Sequence, residues 1–515
     1  MAALGVAAGP AQGATMVVTT DHDPDSLDPA YAYASESWQV LVNAGEGLLA
    51  YRRTGGQAGS EVVPALAESM PTISDGGTHL EFTLRGDARF GPPANRPVRP
   101  SDVKASIERL FLVPSPGRAL FRVISGASAF ERTGAGGISG IVARDSTGTL
   151  EIDLTRSEPA ILDVLALPFA FVEPRGTPAS DQSQEEVASA GPYRISGYAP
   201  GQAIDLVRNP GYVPGAAGPS EPGPDRIHVA IGDSRGPTDG AGIDYNQGRP
   251  SPAQIRAAAS DGARVSRHPN GATYYFFMNT RRPPFDDVRV RRAVNLAIDR
   301  AAMARAFGGA AVPTAQVLPP NTPGYRRVAT PPPDIARAKA LVAKAGATGD
   351  DVAIWGQLNE PSPAITRLLE QALTQIGLRP QKKLWDRASL LATLANPSVG
   401  SQIGYVRWQQ DYPDGADWFP LLFSSGAIRG GANRNYALLA DSKLDKLIAW
   451  AGSAWDPAER ADRWAAVDRA VRARAAWAPF ANSVRIDITS SRVDDYVASP
   501  VYGFLWMRVN LTSSS

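Results

Sequence analysis

The chain has 515 residues, 43% of them hydrophobic and 20% charged, and its 52 basic side chains offset 51 acidic ones to a net charge of +1. This is ordinary globular usage, enough for about three domains, and it argues against wholesale disorder, an integral membrane protein and a dedicated surface for nucleic acid or anionic lipid. Cysteine is absent, which removes disulfides, thiolate metal sites, a Cys nucleophile and a lipidated Cys, while 49 Gly and 44 Pro predict a loop-rich fold.

Residues 2–11 are small, apolar and uncharged, and Ala11-Gln12-Gly13-Ala14 resembles a small-residue cleavage site. Residues 1–14 therefore read as the remnant of a secretory signal that lacks its basic leading end, the alternative being an unstructured start of a cytoplasmic protein. The longest apolar run, 161–172, is broken by Asp163 and Pro168 and falls short of the ~18 residues a membrane helix needs. The β-branched run 16–20 predicts a strand, and the apolar spacing over 35–49 a helix. Alternation at 79–84 after the turn Asp75-Gly76-Gly77 predicts a hairpin, and Ser101 is expected to cap a helix reaching Phe111.

Alternation returns at 149–154, and the Pro-rich, acidic interval 173–186 reads as a linker, with a compositional boundary near 185. Gly/Pro-rich loops occupy 210–224 and 232–252, and 273–278 is an aromatic strand. Helical spacing then dominates, over 289–307, 333–345, 364–376, 442–451 and 457–474; in the third of these Ile365, Leu368, Leu369, Ala372, Leu373 and Ile376 share one face. Strands mixed with helices in both halves indicate the α/β class.

Catalytic signatures fail on their context. Gly232-Asp233-Ser234-Arg235-Gly236 has the GxSxG spacing of a nucleophile elbow, but Pro237, Gly240 and Gly242 leave no helix for the serine to open. Ser101-Asp102-Val103-Lys104 matches SxxK without the SDN and KTG segments that would complete a penicillin-recognising site. The four histidines stand too far apart for metal-ligand spacing, and the Asp residues flanking His22 fit an Asp-rich turn before Pro24 better than a weak cation site. No catalytic residue, metal or cofactor is therefore expected.

The segment from Trp408 to Phe419 is more informative, because it sets Asp411, Asp414 and Asp417 among the rings of Trp408, Tyr412, Trp418 and Phe419 in a Pro/Gly-interrupted loop. Such acids can receive a cationic group while the rings cover its apolar neighbours. The same residues also suit a turn with exposed acids and core-facing aromatics.

Several segments together resemble the family 5 extracellular solute-binding proteins, the peptide, dipeptide and nickel-type receptors of bacterial ABC importers. In order they are Ser26-Leu27-Asp28-Pro29, Glu46-Gly47-Leu48-Leu49, Pro64-Ala65-Leu66-Ala67-Glu68-Ser69, 80–85, 102–109, Gly191-Pro192-Tyr193 and Arg208-Asn209-Pro210. The most specific is 279–299, which begins Asn279-Thr280-Arg281-Arg282-Pro283-Pro284-Phe285-Asp286, and Asp411-Tyr412-Pro413-Asp414 follows it. The resemblance spans about residues 16–510. Gly415, where relatives commonly have Pro, and the missing lipid-bearing Cys depart from it.

The resemblance implies a periplasmic-binding-protein-like type II fold: two mixed α/β lobes joined by a hinge, plus an inserted N-terminal domain. Lobe I would comprise 15–49, 185–270 and 486–515, the insertion 50–184 and lobe II 271–485. A peptide or similar small solute would be enclosed by closure of the lobes, with Asp411 receiving its α-amino group and Trp408 alongside. Tyr412, Asp414, Ser35, Glu36 and Trp38 would be further ligand contacts. The implied protein is a monomeric, extracytoplasmic bacterial receptor that delivers ligand to ABC permease subunits and binds no nucleic acid. Alternatives are the same fold serving a regulatory or protein-interaction role, and a receptor for a non-peptide ligand.

Overall fold

A computed structural model describes residues 14–238, 242–258, 260 and 262–512, so the signal-like stretch lies outside the described residues except for Ala14. The described chain forms two compact units, one holding the residues up to His268 and those from Ile486, the other Pro269–Arg485.

The first unit opens with β1 (Thr15–Thr20) and α1 (Ser35–Ala44). It continues through β2 (Thr72–Ser74), β3 (His79–Thr83), α2 (Pro100–Leu112), β4 (Ile141–Arg144) and β5 (Thr149–Asp153). β6 (Tyr193–Ala199), β7 (Ala203–Arg208), β8 (Arg226–Ile231) and β9 (Tyr245–Asn246) follow. β1 pairs in parallel with β8 from Thr15 opposite Arg226 to Thr20 opposite Ile231, and β8, β7 and β6 continue the sheet antiparallel. Met16 and Val18 are fully buried, as alternate residues on one face of a strand should be.

Residues 50–184 lie within this unit and supply a separate sheet in the order β2-β3-β5-β4. Its β2-β3 turn holds Asp75, Gly76 and Gly77 all at positive φ, a run that only a glycine-rich turn tolerates. Leu80, Phe82, Leu150 and Ile152 form its buried face. α2 starts two residues earlier than a cap at Ser101 predicts: Pro100 takes its first position, and the Asp102 carboxylate accepts the Arg99 N–H at 2.8 Å. The Ser101 hydroxyl does not cap the helix; it donates to Asp145 at 2.7 Å.

The interval 173–186 is irregular but anchored at its start. Arg109 on α2 donates to Asp28 at 2.7 Å and to Glu173 at 2.9 Å, and all three side chains are buried. Burial, reinforced by the charge of Asp28, pushes the Glu173 carboxyl up to about 8. Residues from the other stretch of this unit complete its core. Gln39 donates to the Phe504 carbonyl at 2.9 Å, the Met507 N–H donates to Asn43 at 2.9 Å, and the Tyr502 hydroxyl donates to the Ala166 carbonyl at 2.7 Å.

β10 (Arg264–Met278) and β14 (Trp477–Thr489) carry the chain from one unit into the other. Within the second unit they join β11 (Asp351–Gln357), β12 (Arg379–Trp385) and β13 (Ile403–Gln409) in the order β12-β11-β13-β10-β14. β10 meets β13 antiparallel from Ala272 opposite Gln409 to Met278 opposite Ile403. Tyr274, Phe276 and Met278 enter one apolar cluster, and Tyr275 and Phe277 enter another, so the strand is buried on both faces and its unbroken aromatic run is explained.

The helices of this unit include α3 (Val288–Ala297), α4 (Arg300–Arg305), α5 (Ile335–Ala345), α6 (Ser362–Gln375), α7 (Phe419–Phe423), α8 (Ser442–Gly452) and α9 (Pro457–Arg474), and a further short helix covers Arg387–Leu394. The single helix expected over 289–307 is two, because Asp299 caps a new turn by accepting the Ala302 N–H at 2.9 Å. α6 connects the parallel strands β11 and β12 and buries Ile365, Leu369 and Leu373, while Leu368 is only half-buried.

Candidate functional site

Where β13 ends, Trp408 sits opposite Thr273 on β10, and the Gln410 N–H still donates to the Gly271 carbonyl at 3.0 Å. The chain then folds back on itself around three acids. Asp414 is 3% exposed and held from three directions. It accepts the Ala416 N–H at 2.8 Å, the Trp464 indole N–H at 2.9 Å and the Arg460 Nε–H at 2.8 Å. Both oxygens are thus engaged inside the unit, and α9 fixes the loop through a buried charged pair.

Asp417 accepts the Asp411 backbone N–H at 3.0 Å and the Trp408 indole N–H at 3.3 Å. Burial raises its carboxyl well above the usual carboxylate range, and the charge of Asp411 adds to the effect. The Gln410 side chain accepts from Thr322 at 2.6 Å and from the Trp418 indole at 3.4 Å. Gly415 lies against the Trp464 ring, where an added Cβ would come within 2.4 Å of ring carbon.

The segment divides along its length. Trp418 and Phe419 are buried in the core, with Phe419 stacked on Trp464 at 5.6 Å, and Tyr412 is also buried. Asp411 and Trp408 remain half-buried. Of the three acids, Asp411 is half-buried, while Asp414 and Asp417 are buried.

Ser35, Glu36 and Trp38 share the first turn of α1 in the first unit. Ser35 is exposed, and the half-buried Glu36 accepts from Gln247 through its backbone carbonyl at 3.3 Å. Trp38 is buried, donates its indole N–H to the Ala32 carbonyl at 3.0 Å and meets Phe169 edge-on at 5.4 Å.

The serines of the discarded catalytic patterns lie in the first unit. Ser234 is an exposed loop residue, and Ser101 is bonded to Asp145. Each histidine is beside one aspartate, namely His22 with Asp21, His79 with Asp153, His228 with Asp205 and His268 with Asp487. Among the described residues no group of three or more potential metal ligands forms.

Reading the sequence alone overlooked Arg460 and Trp464, which are 46 and 50 residues from Asp414 and carried no local signal. Asp417 was visible as the third acid of the segment, but nothing in the spacing marked it and Asp414 as the buried ones.

Residues 61–430 match the family model for bacterial extracellular solute-binding proteins, family 5, a range that includes Asp411-Tyr412-Pro413-Asp414. The chain belongs to this family. The chain is also similar to several known proteins over nearly their whole length. It is 26% identical over 527 residues to probable di/tripeptide-binding protein 5 of Pseudomonas aeruginosa (strain UCBPP-PA14), covering 96% of this chain and 95% of that one. Heme-binding protein A of Haemophilus influenzae is also 26% identical, over 512 residues, covering 94% and 90%. The structure of clavulanic acid biosynthesis oligopeptide binding protein 2 superposes with a TM-score of 0.86 at 26% identity, covering 97% of this chain and 96% of that one. The fold is the type II periplasmic-binding-protein architecture, and among the described residues no helix is long and apolar enough to cross a membrane.

Proposed function

We propose that this solute-binding protein is the receptor of an ABC importer for short peptides, with Asp411 receiving the α-amino group and Trp408 lying beside it. The observation that carries the reading is the half-buried Asp411 next to a half-buried indole on a loop pinned by Asp414, Arg460 and Trp464. A carboxylate at such a place binds an ammonium group more strongly than one in open water, because less solvent competes for either charge. The names of the relatives, di/tripeptide-binding and oligopeptide-binding, support a peptide as the solute. In the first unit Ser35 is exposed and Glu36 half-buried, whereas Trp38 serves the packing of α1.

Calorimetry with trialanine and N-acetyl-trialanine tests the reading. Asp411→Asn is expected to cost ~2 to 4 kcal/mol toward trialanine and to erase the preference for the free amine. Equal affinity in both proteins would remove Asp411 from the site. One relative is named for haem, so a porphyrin mass released from the denatured protein would replace the peptide reading.

A further inference from the structure

We propose that Asp417 is a proton-bearing member of the ligand site, which gives up its proton when an ammonium group docks beside Asp411. The inference rests on Asp411 as the amine receiver and adds a proton to the stoichiometry of uptake.

The geometry isolates this carboxyl. Asp417 is 5% exposed and receives two hydrogen bonds on the same oxygen, Oδ2, from the Asp411 backbone and the Trp408 indole. Among the described residues no Lys or Arg pairs with it. The charges that face it, Asp411 and Asp414, are both acidic. From α9 Arg460 reaches this loop and bonds Asp414, and from the end of β13 the Trp408 indole donates to Asp417. A carboxylate buried among acids without a cation of its own holds its proton, because desolvation and like charge both penalise the ionised form.

A ligand ammonium supplies the missing positive charge. At ~6 Å and an effective dielectric constant near ~20, one charge weakens the hold of a neighbouring acid on its proton on the order of a hundredfold. The ammonium keeps its own protons. The Asp417 O–H bond breaks, its electron pair remains on the carboxylate and the proton passes to the buffer. Asp417 then joins Asp411 in opposing the ligand charge, and binding strengthens as pH rises between the proton affinities of the free and the occupied site.

The test uses the whole chain and trialanine, whose amine, with a pKa near ~8, stays protonated from pH 5 to 7. Titrations in buffers of different ionisation enthalpy should show proton release approaching one per peptide, and affinity rising by up to ~tenfold per pH unit. Asp417→Asn, which keeps an oxygen to accept both N–H groups, should abolish the release and flatten the pH profile. In ligand-free protein labelled with 13C-Asp, the infrared band of a protonated carboxyl should be present at pH 7 and absent from Asp417→Asn. Peptide binding without proton release overturns the proposal while leaving Asp411 as the receiver. Absence of the infrared band overturns it whether or not any peptide binds. Failure of trialanine to bind at all removes the peptide reading and the release step with it.

Discussion

Glu173 should make the first unit less stable as pH rises through neutrality. Its carboxyl is raised from an ordinary 4.5 to about 8, mainly by burial and then by Asp28. The folded protein therefore holds a proton that the unfolded chain releases. The contribution is full below pH ~4.5 and is lost as pH climbs to ~8, at about 1.4 kcal/mol for each pH unit. Three and a half units give a ceiling of about 5 kcal/mol, reached if Arg109, Asp28 and Glu173 keep their geometry throughout. Glu173→Gln mimics the protonated acid and can still accept from Arg109, so it removes the titration without emptying the cluster. Urea unfolding followed by tryptophan fluorescence at pH 5 to 9 should show wild type and variant nearly equal at pH 5, with the variant several kcal/mol more stable at pH 8.5. Stability curves that stay parallel across that range would refute the argument.

Arg460→Met strands the buried Asp414 carboxylate, so stability should fall by ~3 to 5 kcal/mol and trialanine affinity with it; pairing the change with Asp414→Asn should restore part of both, as read by thermal denaturation and calorimetry. Gly415→Ala drives a methyl into the Trp464 ring and should cost ~1 to 3 kcal/mol, measurable as a lowered urea midpoint. Trp408→Ala is expected to weaken peptide binding with little change in melting temperature; a lower melting temperature at unchanged affinity would assign the indole to packing alone.

Much of the fold is legible because local rules and burial agree. The run at 273–278 reads as a strand and is one, although the strand begins earlier, at Arg264, where alternating polar residues blur the pattern. The helix expected over 289–307 breaks where Asp299 outcompetes apolar spacing by capping a new turn, a local preference that periodicity averages away. Ser101 shows the reverse error: a Ser after Pro looks like a cap, but Asp102 reaches the Arg99 N–H first. The acid and aromatic segment could be found because its residues are consecutive. Which acids are buried could not, since Asp414 is held by Arg460 and Trp464 on a distant helix, just as the fate of Glu173 is decided by Arg109 and Asp28.

The two units differ in how their parts are distributed along the chain, and this sets an order for folding during synthesis. Pro269–Arg485 is one continuous stretch, so the second unit can close as soon as it has been made. The first unit cannot, because Gln39, Asn43 and the Ala166 carbonyl bond to residues 502–507, translated after the whole of the other unit. At ~5 to 20 residues per second the interval is on the order of 10 to 40 seconds. Throughout it the α1 amides and the apolar surface around them lack their partners, leaving the earlier-made half open to chaperones or an export apparatus. A chain stopped at 485 should accordingly contain a folded second unit attached to a protease-sensitive first one.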